Sequence, residues 1–433
     1  MRFYQHPVFD ITLPEWWRYQ GQMPPGVAFF ALPALGALLV PQRWMRPYLL
    51  VTSLLILWLT FGHGFTLGIL AACVLAWLLC LLARAAVRRG AGPARLALAG
   101  GWLIANGIYF GLFATPVNRV LADAGHLDIL LLCGPAFFLI RFLGLFSDIC
   151  RGKPVGSLRP DRFALFFLYA PTFRLGPVTY YASMNEQIDH CKSRINSRNL
   201  RLGGLLIALG IGQLVLVDEV INEWLVNPYH ERTFFFTLGF FNDAANLTFG
   251  QALLGTYLIA FRFLLGFSGY THLAMGISRL MGIDVPRNFE RPYLASNIRT
   301  LWHRWHISLS QWLRDYIYIP LGGRNRRLLA TLAVFVYCMM WHQPTLNMLI
   351  FALIHTGAVT GVHVWRGWLE REEPRPSVAR LRAALASPAG YLLGVAATFH
   401  FWCLTLLVMF DPNHLGLGVM RRLFVDPFAA ILP

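Results

Sequence analysis

Apolar residues run along this 433-residue chain in long blocks, interrupted by short polar turns. The blocks are Val27–Val40, Leu49–Leu82, Leu96–Phe113, Ile129–Phe146, Leu205–Val217, Leu328–Trp341, Met348–Val364 and Tyr391–Phe410. A helix of roughly 20 apolar residues crosses a bilayer. Some blocks are shorter than that and Leu49–Leu82 is long enough to divide, so the pattern predicts about nine to eleven transmembrane helices. The fold class is therefore all-α, a polytopic membrane protein in which 1–433 forms a single embedded domain. No stretch is long and polar enough for a separate soluble domain, so any soluble catalytic or carrier domain is expected on another chain.

Two regions break the pattern. The first is Arg159–Tyr181, which contains Ala170-Pro-Thr-Phe-Arg-Leu-Gly-Pro177. Its prolines and glycine interrupt a helix. Broken backbone at membrane depth is tolerated only where it is buried in protein or lines a cavity, so this region reads as re-entrant or interfacial. The second is Ser268–Gly323, polar from Gly282 onward. There Ser296 or Asn297 caps a helix expected from about Ile298 to Ile317. Its apolar residues Ile298, Leu301, Trp302, Trp305, Leu309, Trp312, Leu313 and Tyr316 recur mostly at spacings of three and four. On that helix His303 and His306 fall near one face, Arg314 pairs with Asp315, and Pro320-Leu-Gly-Gly323 ends the element.

Composition sharpens the picture. Charged residues make up 13% of the chain and hydrophobic residues 56%, against about 25% charged in soluble proteins. A soluble enzyme and a disordered chain are both excluded. The net charge of +16 does not mark a nucleic-acid binder, because the basic residues sit between apolar blocks rather than on a polar chain. They cluster at Arg43/Arg46, Arg84/Arg88/Arg89/Arg95, Arg151/Lys153/Arg159/Arg162, Lys192/Arg194/Arg198/Arg201, Arg324/Arg326/Arg327 and Arg366/Arg371. Alternation of these clusters with poorly basic loops such as Asn118–Asp128 marks the cytoplasmic sides and contact with anionic lipid headgroups. An outside N-terminus follows. Met1–Gly26 lacks the layout of a signal peptide, and Ile11–Trp17 reads as an interfacial anchor. Seven scattered cysteines without a CxxC pair read as buried small hydrophobes, not as disulfides or a zinc site.

Among the 13 histidines His342 stands apart. It ends an apolar block, about 24 Å along a helix from Arg326, and Gln343-Pro344 then breaks the helix. An ionisable group at that depth faces a cavity or a partner, and imidazole takes up a proton near neutral pH. The His303/His306 pair lacks the carboxylate or thiolate that would complete a metal site.

These residues resemble the membrane-bound O-acyltransferases, in the bacterial branch that includes alginate O-acetylation and teichoic-acid D-alanylation. Phe267-Ser-Gly-Tyr270, Asn288-Phe-Glu-Arg-Pro-Tyr293, Trp302-His-Arg-Trp-His-Ile-Ser-Leu-Ser310, Trp312-Leu-Arg-Asp-Tyr316 and Ile319-Pro-Leu-Gly-Gly323 carry the likeness. Pro171-Thr-Phe-Arg-Leu-Gly-Pro177, Met340-Trp-His342 and Leu353-Ile-His355 extend it over about 165–361. The resemblance implies a ring of helices around a thinned centre. It implies that His342 is the catalytic histidine and His306 the second motif histidine. The reaction it implies is transfer of a short acyl group, acetyl above all, from a cytoplasmic thioester to an extracytoplasmic hydroxyl.

Trp305, Arg304, Trp341, Asn347 and His303 flank the two histidines and are the candidate substrate-binding residues. No permanently bound cofactor or metal is expected; the donor is acetyl-CoA or an acyl-carrier thioester. The expected partners are membrane lipids, an extracytoplasmic acyl-relay or glycan-modifying protein and an acyl-carrier protein, with no nucleic acid. The expected location is the cell (inner) membrane. The sequence departs from the family pattern at Gln343, where the family has Gly, and at His272, where it has Asp. Two other classes fit intramembrane polar residues: a flippase for a lipid-linked saccharide, which predicts two related halves that the sequence lacks, and a non-catalytic scaffold of a secretion complex.

Overall fold

The computed structural model describes residues 3–5, 12–14, 33–114, 134–225, 238–370, 376–411 and 416–429. Helices dominate it. The exception is a short antiparallel ribbon of β1 (Phe3–Gln5) and β2 (Thr12–Pro14). Most of the expected anchor Ile11–Trp17 and the loop Asn118–Asp128 lie outside the described residues. Five of the described helices are long and apolar enough to cross a membrane, which makes the chain an all-helical polytopic membrane protein. Several other expected spans appear as shorter helices. The described residues divide into two compact units: Met1–Leu214 with Phe267–Arg287, and Val215–Gly266 with Asn288–Pro433.

In the first unit α1 (Gln42–Arg89) packs with α2 (Ala91–Ala114), α3 (Gly134–Cys150) and α4 (Pro160–Leu168). Gly62, at φ 80° and ψ 174°, interrupts α1, so the long apolar block does divide. Beyond it Ile69, Cys73, Ala76, Cys80 and Ala83 are buried, at alternating spacings of four and three. Leu67, Val74, Leu75, Leu78 and Leu82 on the other faces stay exposed. That is the division expected of a helix with one side on protein and the other on lipid. The cysteines Cys73, Cys80, Cys150, Cys191, Cys338 and Cys403 are free and buried.

The broken segment is stitched from inside by a residue that the apolar pattern conceals. Arg141, in the middle of α3, is buried. Its Nη1 donates to the carbonyls of Phe166 and Phe167, both at 3.2 Å, at the end of α4. Its Nη2 donates to the carbonyl and hydroxyl of Thr172, at 2.6 and 2.7 Å, in the single turn α5 (Ala170–Phe173). The carbonyls left over at a helix end are negative in partial charge, so they accommodate a buried guanidinium. Replacing Arg141 with Met leaves these acceptors bare and is expected to cost about 2–3 kcal/mol. Arg141→Lys recovers only part of that, because an ammonium lacks the planar fork. Thermal unfolding of the purified protein in detergent checks this, and an Arg141→Met midpoint equal to wild type refutes it.

On the basic side of the same unit, Arg46 donates to Asn185 (2.7 Å) and Asp189 (2.6 Å) of α6 (Tyr181–Asp189). Arg162 reaches the other oxygen of Asp189 at 2.8 Å. Part of the positive charge that marks topology is therefore also structural.

Helix α7 (Ser197–Leu216) lies antiparallel against residues 267–280 of α8 (Phe249–Leu280) through paired glycines. A Cβ on Gly276 would sit 2.7 Å from the Gly203 carbonyl, and one on Gly210 would sit 2.7 Å from the Gly269 carbonyl. Small residues permit such backbone approach between membrane helices. Gly276→Ala meets backbone and cannot be relieved by a rotamer change, so it is expected to destabilise by about 1–3 kcal/mol. An unchanged unfolding midpoint would show that the helices are farther apart. His272, on the same helix, donates from Nδ1 to Gln213 Oε1 at 2.7 Å, and Gln213 Nε2 donates to Ser268 Oγ at 3.0 Å.

In the second unit α9 (Ile298–Arg304), α10 (Ile307–Leu313), α11 (Arg327–His342), α12 (Leu346–Leu369), α13 (Pro376–Ala386) and α14 (Pro388–Phe410) follow in order. The capping expectation holds: Asn297 Oδ1 accepts from the Thr300 amide at 2.9 Å. The single helix expected over Ile298–Ile317 is not formed. It ends at Arg304, resumes at Ile307 and passes into a wider π turn over Arg314–Tyr318. Gly322 (φ 104°) and Gly323 (φ 51°) then close the element in conformations that favour glycine. Helices α11 and α12 form a hairpin, with α14 packed on α12 and α9 packed on both α12 and α14.

Candidate active site

The break in the polar block puts His306 where it is. Trp305 is extended (φ −107°, ψ 130°), and His306 is left-handed at φ 44°, ψ 52°. A non-glycine residue in that region is uncommon and persists where its surroundings enforce it. The enforcement comes from the Asn288-Phe-Glu290 segment alongside. The Glu290 amide donates to the Arg304 carbonyl (3.0 Å), and the Ile307 amide donates to the Asn288 carbonyl (2.9 Å). The turn is thus held on both sides, and the Ser308 hydroxyl donates to Asn288 Oδ1.

This corrects the reading of a paired histidine face. His303 is exposed, whereas His306 is buried at 4% exposure. The break between them rotates the second imidazole away from the first. Its neighbour is instead His342, with ring centroids 6.2 Å apart and planes at 48°.

His342 is the last residue of α11. Its ring lies against that of Trp341 at 4.5 Å between centroids, and it is half-buried. Gln343 follows at φ −164°, ψ 120°. That is extended backbone open to any residue, so this position makes no steric demand for the glycine of the family pattern. The Thr345 amide closes the connection by donating to the Gln343 carbonyl at 2.9 Å.

The other expected residues are distributed around this pair. Trp305 is buried, with its indole among Phe263, Phe289, Tyr293 and Trp402 at centroid distances of 5.0, 4.9, 6.2 and 4.7 Å. Trp341 is buried beside His342. Asn347 is buried; its Nδ2 donates to the Met409 carbonyl at 2.6 Å, and it accepts from the Thr345 hydroxyl. Arg304 is half-buried and donates from Nη1 to the Leu294 carbonyl at 3.1 Å. Arg314 pairs with its neighbour Asp315 at 2.8 Å, as expected.

Sequence reasoning gave no role to Asn288 or to His355. Asn288 is one of many polar residues in the block that begins at Gly282. His355 sits inside an apolar block, where a histidine looks incidental.

Chemically, the arrangement presents two imidazoles to one another, one on a helix end and one on a clamped turn. Such a pair can accept and return a proton at a hydroxyl or thiol.

Residues 159–406 match the model of the membrane-bound O-acyltransferase family, MBOAT. A peptidoglycan O-acetyltransferase of Helicobacter pylori is 34% identical over 206 residues, 46% of this chain and 37% of that protein. A probable alginate O-acetylase AlgI of Pseudomonas fluorescens is 28% identical over 288 residues, 64% of this chain and 51% of that protein. The match therefore spans less than two thirds of the length of either relative. A teichoic acid D-alanyltransferase of Bacillus subtilis is 23% identical over 409 residues, 88% of this chain and 96% of that protein. The family match takes in more than half of the sequence, including every residue of the histidine pair and its clamp, and the chain belongs to the membrane-bound O-acyltransferase family.

Proposed function

We propose that this chain is an O-acyltransferase of the cell (inner) membrane that moves a short acyl group, acetyl, from a cytoplasmic thioester to a hydroxyl. The acceptor hydroxyl belongs to an extracytoplasmic glycan or to a relay protein that passes the group on. The observation that carries the reading is the pairing of His306, buried on a clamped turn, with half-buried His342 in the part of the chain that matches the family. Two relatives named for O-acetyl transfer support acetyl as the group, and both act on polysaccharides by name.

In the proposed step neutral His342 takes the proton of the acceptor hydroxyl while its oxygen attacks the thioester carbonyl. The C–O bond forms, the C–S bond breaks, and the thiolate leaves with the proton that His342 returns. His306 polarises the carbonyl or positions the thioester. The products are an ester and a free thiol, so protons and electrons balance without a further reagent. The donor is acetyl-CoA or an acyl-carrier thioester, and an acyl-carrier protein and an extracytoplasmic acyl-relay protein are the partners this chemistry calls for.

The test is a reconstitution. The purified protein in liposomes is supplied outside with glycan and inside with radiolabelled acetyl-CoA or an acetylated carrier protein. Label on the glycan, or on an added relay protein, supports the reading. A flippase or a scaffold leaves both thioesters intact, and that outcome overturns it.

A further inference from the structure

His355 of α12 is fully buried, at 0% exposure. Its ring lies 4.1 Å from that of Phe351 and 5.3 Å from that of Trp302, measured between centroids. Both of its nitrogens are engaged, and the partners fix where the proton is. Nδ1 lies 3.1 Å from Trp302 Nε1. An indole N–H only donates, so Nδ1 accepts and carries no hydrogen. The ring proton is then on Nε2, which faces Thr405 Oγ1 at 3.1 Å. The Thr405 hydroxyl lies 2.9 Å from the Trp402 carbonyl, which only accepts. The chain therefore runs one way: Trp302 to His355, His355 to Thr405, Thr405 to the Trp402 carbonyl. A proton added at Nδ1 would set two donors face to face, so the imidazole is held neutral in one tautomer.

The ends of this chain grip the segment that carries His306. Trp302 is in α9, two residues before its end and four before His306. Trp402 packs on Trp305 with centroids 4.7 Å apart, and its indole N–H donates to the Tyr293 hydroxyl at 3.3 Å. His355 itself sits on the helix that directly follows His342. The chain of hydrogen bonds thus ties the hairpin bearing one histidine to the short helix bearing the other. An apolar filling would pack this volume without needing satisfied hydrogen bonds. What the polar groups add is direction, since each fixes the rotation of its neighbour.

We propose that His355 is a positioning residue for acyl transfer, setting through Trp302 and Thr405 where α9 delivers His306 opposite His342. The inference rests on the reading of the His306–His342 pair as the reacting site. It also accounts for a tautomer-locked histidine that touches neither member of that pair.

The experiment uses the reconstituted full chain and whichever of the two thioesters the wild type consumes. Thr405→Val keeps the side-chain shape and removes the hydroxyl, Thr405→Ser keeps the hydroxyl, and Trp302→Phe keeps an aromatic ring and removes the N–H. Misplacement of a reacting group by an ångström is worth up to about a hundredfold in rate. Thr405→Val and Trp302→Phe are accordingly expected to lower kcat per folded molecule about 10- to 30-fold with the thioester KM within about twofold, and Thr405→Ser to stay near wild type. In a His342→Ala background, adding Thr405→Val is expected to change nothing further.

Wild-type kcat in Thr405→Val overturns the proposal. So does a loss that Thr405→Ser shares, or one that persists undiminished on top of His342→Ala. If Trp302→Phe fails to fold, the two Thr405 variants decide the matter alone. The two readings fail separately. Full turnover in His342→Ala removes the site itself, whereas an inactive His342→Ala beside fully active Thr405→Val and Trp302→Phe removes only the role given to His355.

Discussion

Replacement of His342 with alanine is expected to lower acyl transfer by about 10²–10⁴-fold, the range that a positioned general base contributes. The protein should still fold and insert. His342 is half-buried at the end of α11, and the hydrogen bonds that close the connection to α12 come from backbone atoms of Met339, Gln343 and Thr345. The loss should fall on kcat rather than on the thioester KM, because the proton moves in the transition state and not on binding. Turnover is measured in liposomes, with folded yield and unfolding midpoint determined on the same preparations. Retention of wild-type kcat by a folded His342→Ala protein would show that the proton goes elsewhere. The neighbouring Gln343 offers a contrast. Its backbone is extended, so Gln343→Gly supplies the family's residue without relieving strain, and it is not expected to rescue His342→Ala.

How far the sequence anticipates this site depends on which forces set each part. The apolar blocks give the helices and their order, because burial or lipid exposure of a whole helix averages over many side chains. The end of α11 at His342 is also legible, since Pro344 disfavours helix at the residue before it. The interruption at His306 is not. The stripe from Ile298 to Tyr316 satisfies a helical period, and residues such as Trp305 and Ile307 do not themselves break a helix. What breaks it is tertiary: the Asn288-Phe-Glu290 segment takes the amide of Ile307 and fills the carbonyl of Arg304. Local periodicity holds no record of hydrogen-bond partners 14 and 19 residues away. Arg141 and His355 are hidden for a related reason. Each sits in an apolar run where one polar residue barely alters the pattern, and its role appears only when carbonyls, an indole and a hydroxyl from other elements converge on it.

A chain with only 13% charged residues uses several of them away from water. The Arg141 guanidinium donates to three carbonyl oxygens and one hydroxyl. Arg46 meets an amide and a carboxylate. Where counter-charges are scarce, helix ends supply the acceptors, and the broken segment between α4 and α5 is thereby both the partner of Arg141 and its product.

His306 combines two roles that a single substitution confounds, and a series separates them. The residue supplies an imidazole opposite His342, and it also holds a left-handed turn at φ 44°. Glycine adopts that conformation without steric cost, asparagine more readily than most residues, and alanine at a penalty of about 1–2 kcal/mol. If the imidazole takes part in the reaction, His306→Gly, His306→Asn and His306→Ala should all lose turnover to a similar extent, about 10²-fold. Their unfolding midpoints should then diverge, with alanine below glycine, because only the backbone term differs between those two. If the residue merely shapes the turn, the order of activity should follow the order of stability, and His306→Gly should approach wild-type kcat. Activity and midpoint measured together on the three proteins therefore distinguish a reacting ring from a backbone device. Flat loss of activity across a spread of stabilities is the expected result, since the clamp formed by the Arg304 carbonyl and the Ile307 amide keeps the turn in place whichever side chain it carries.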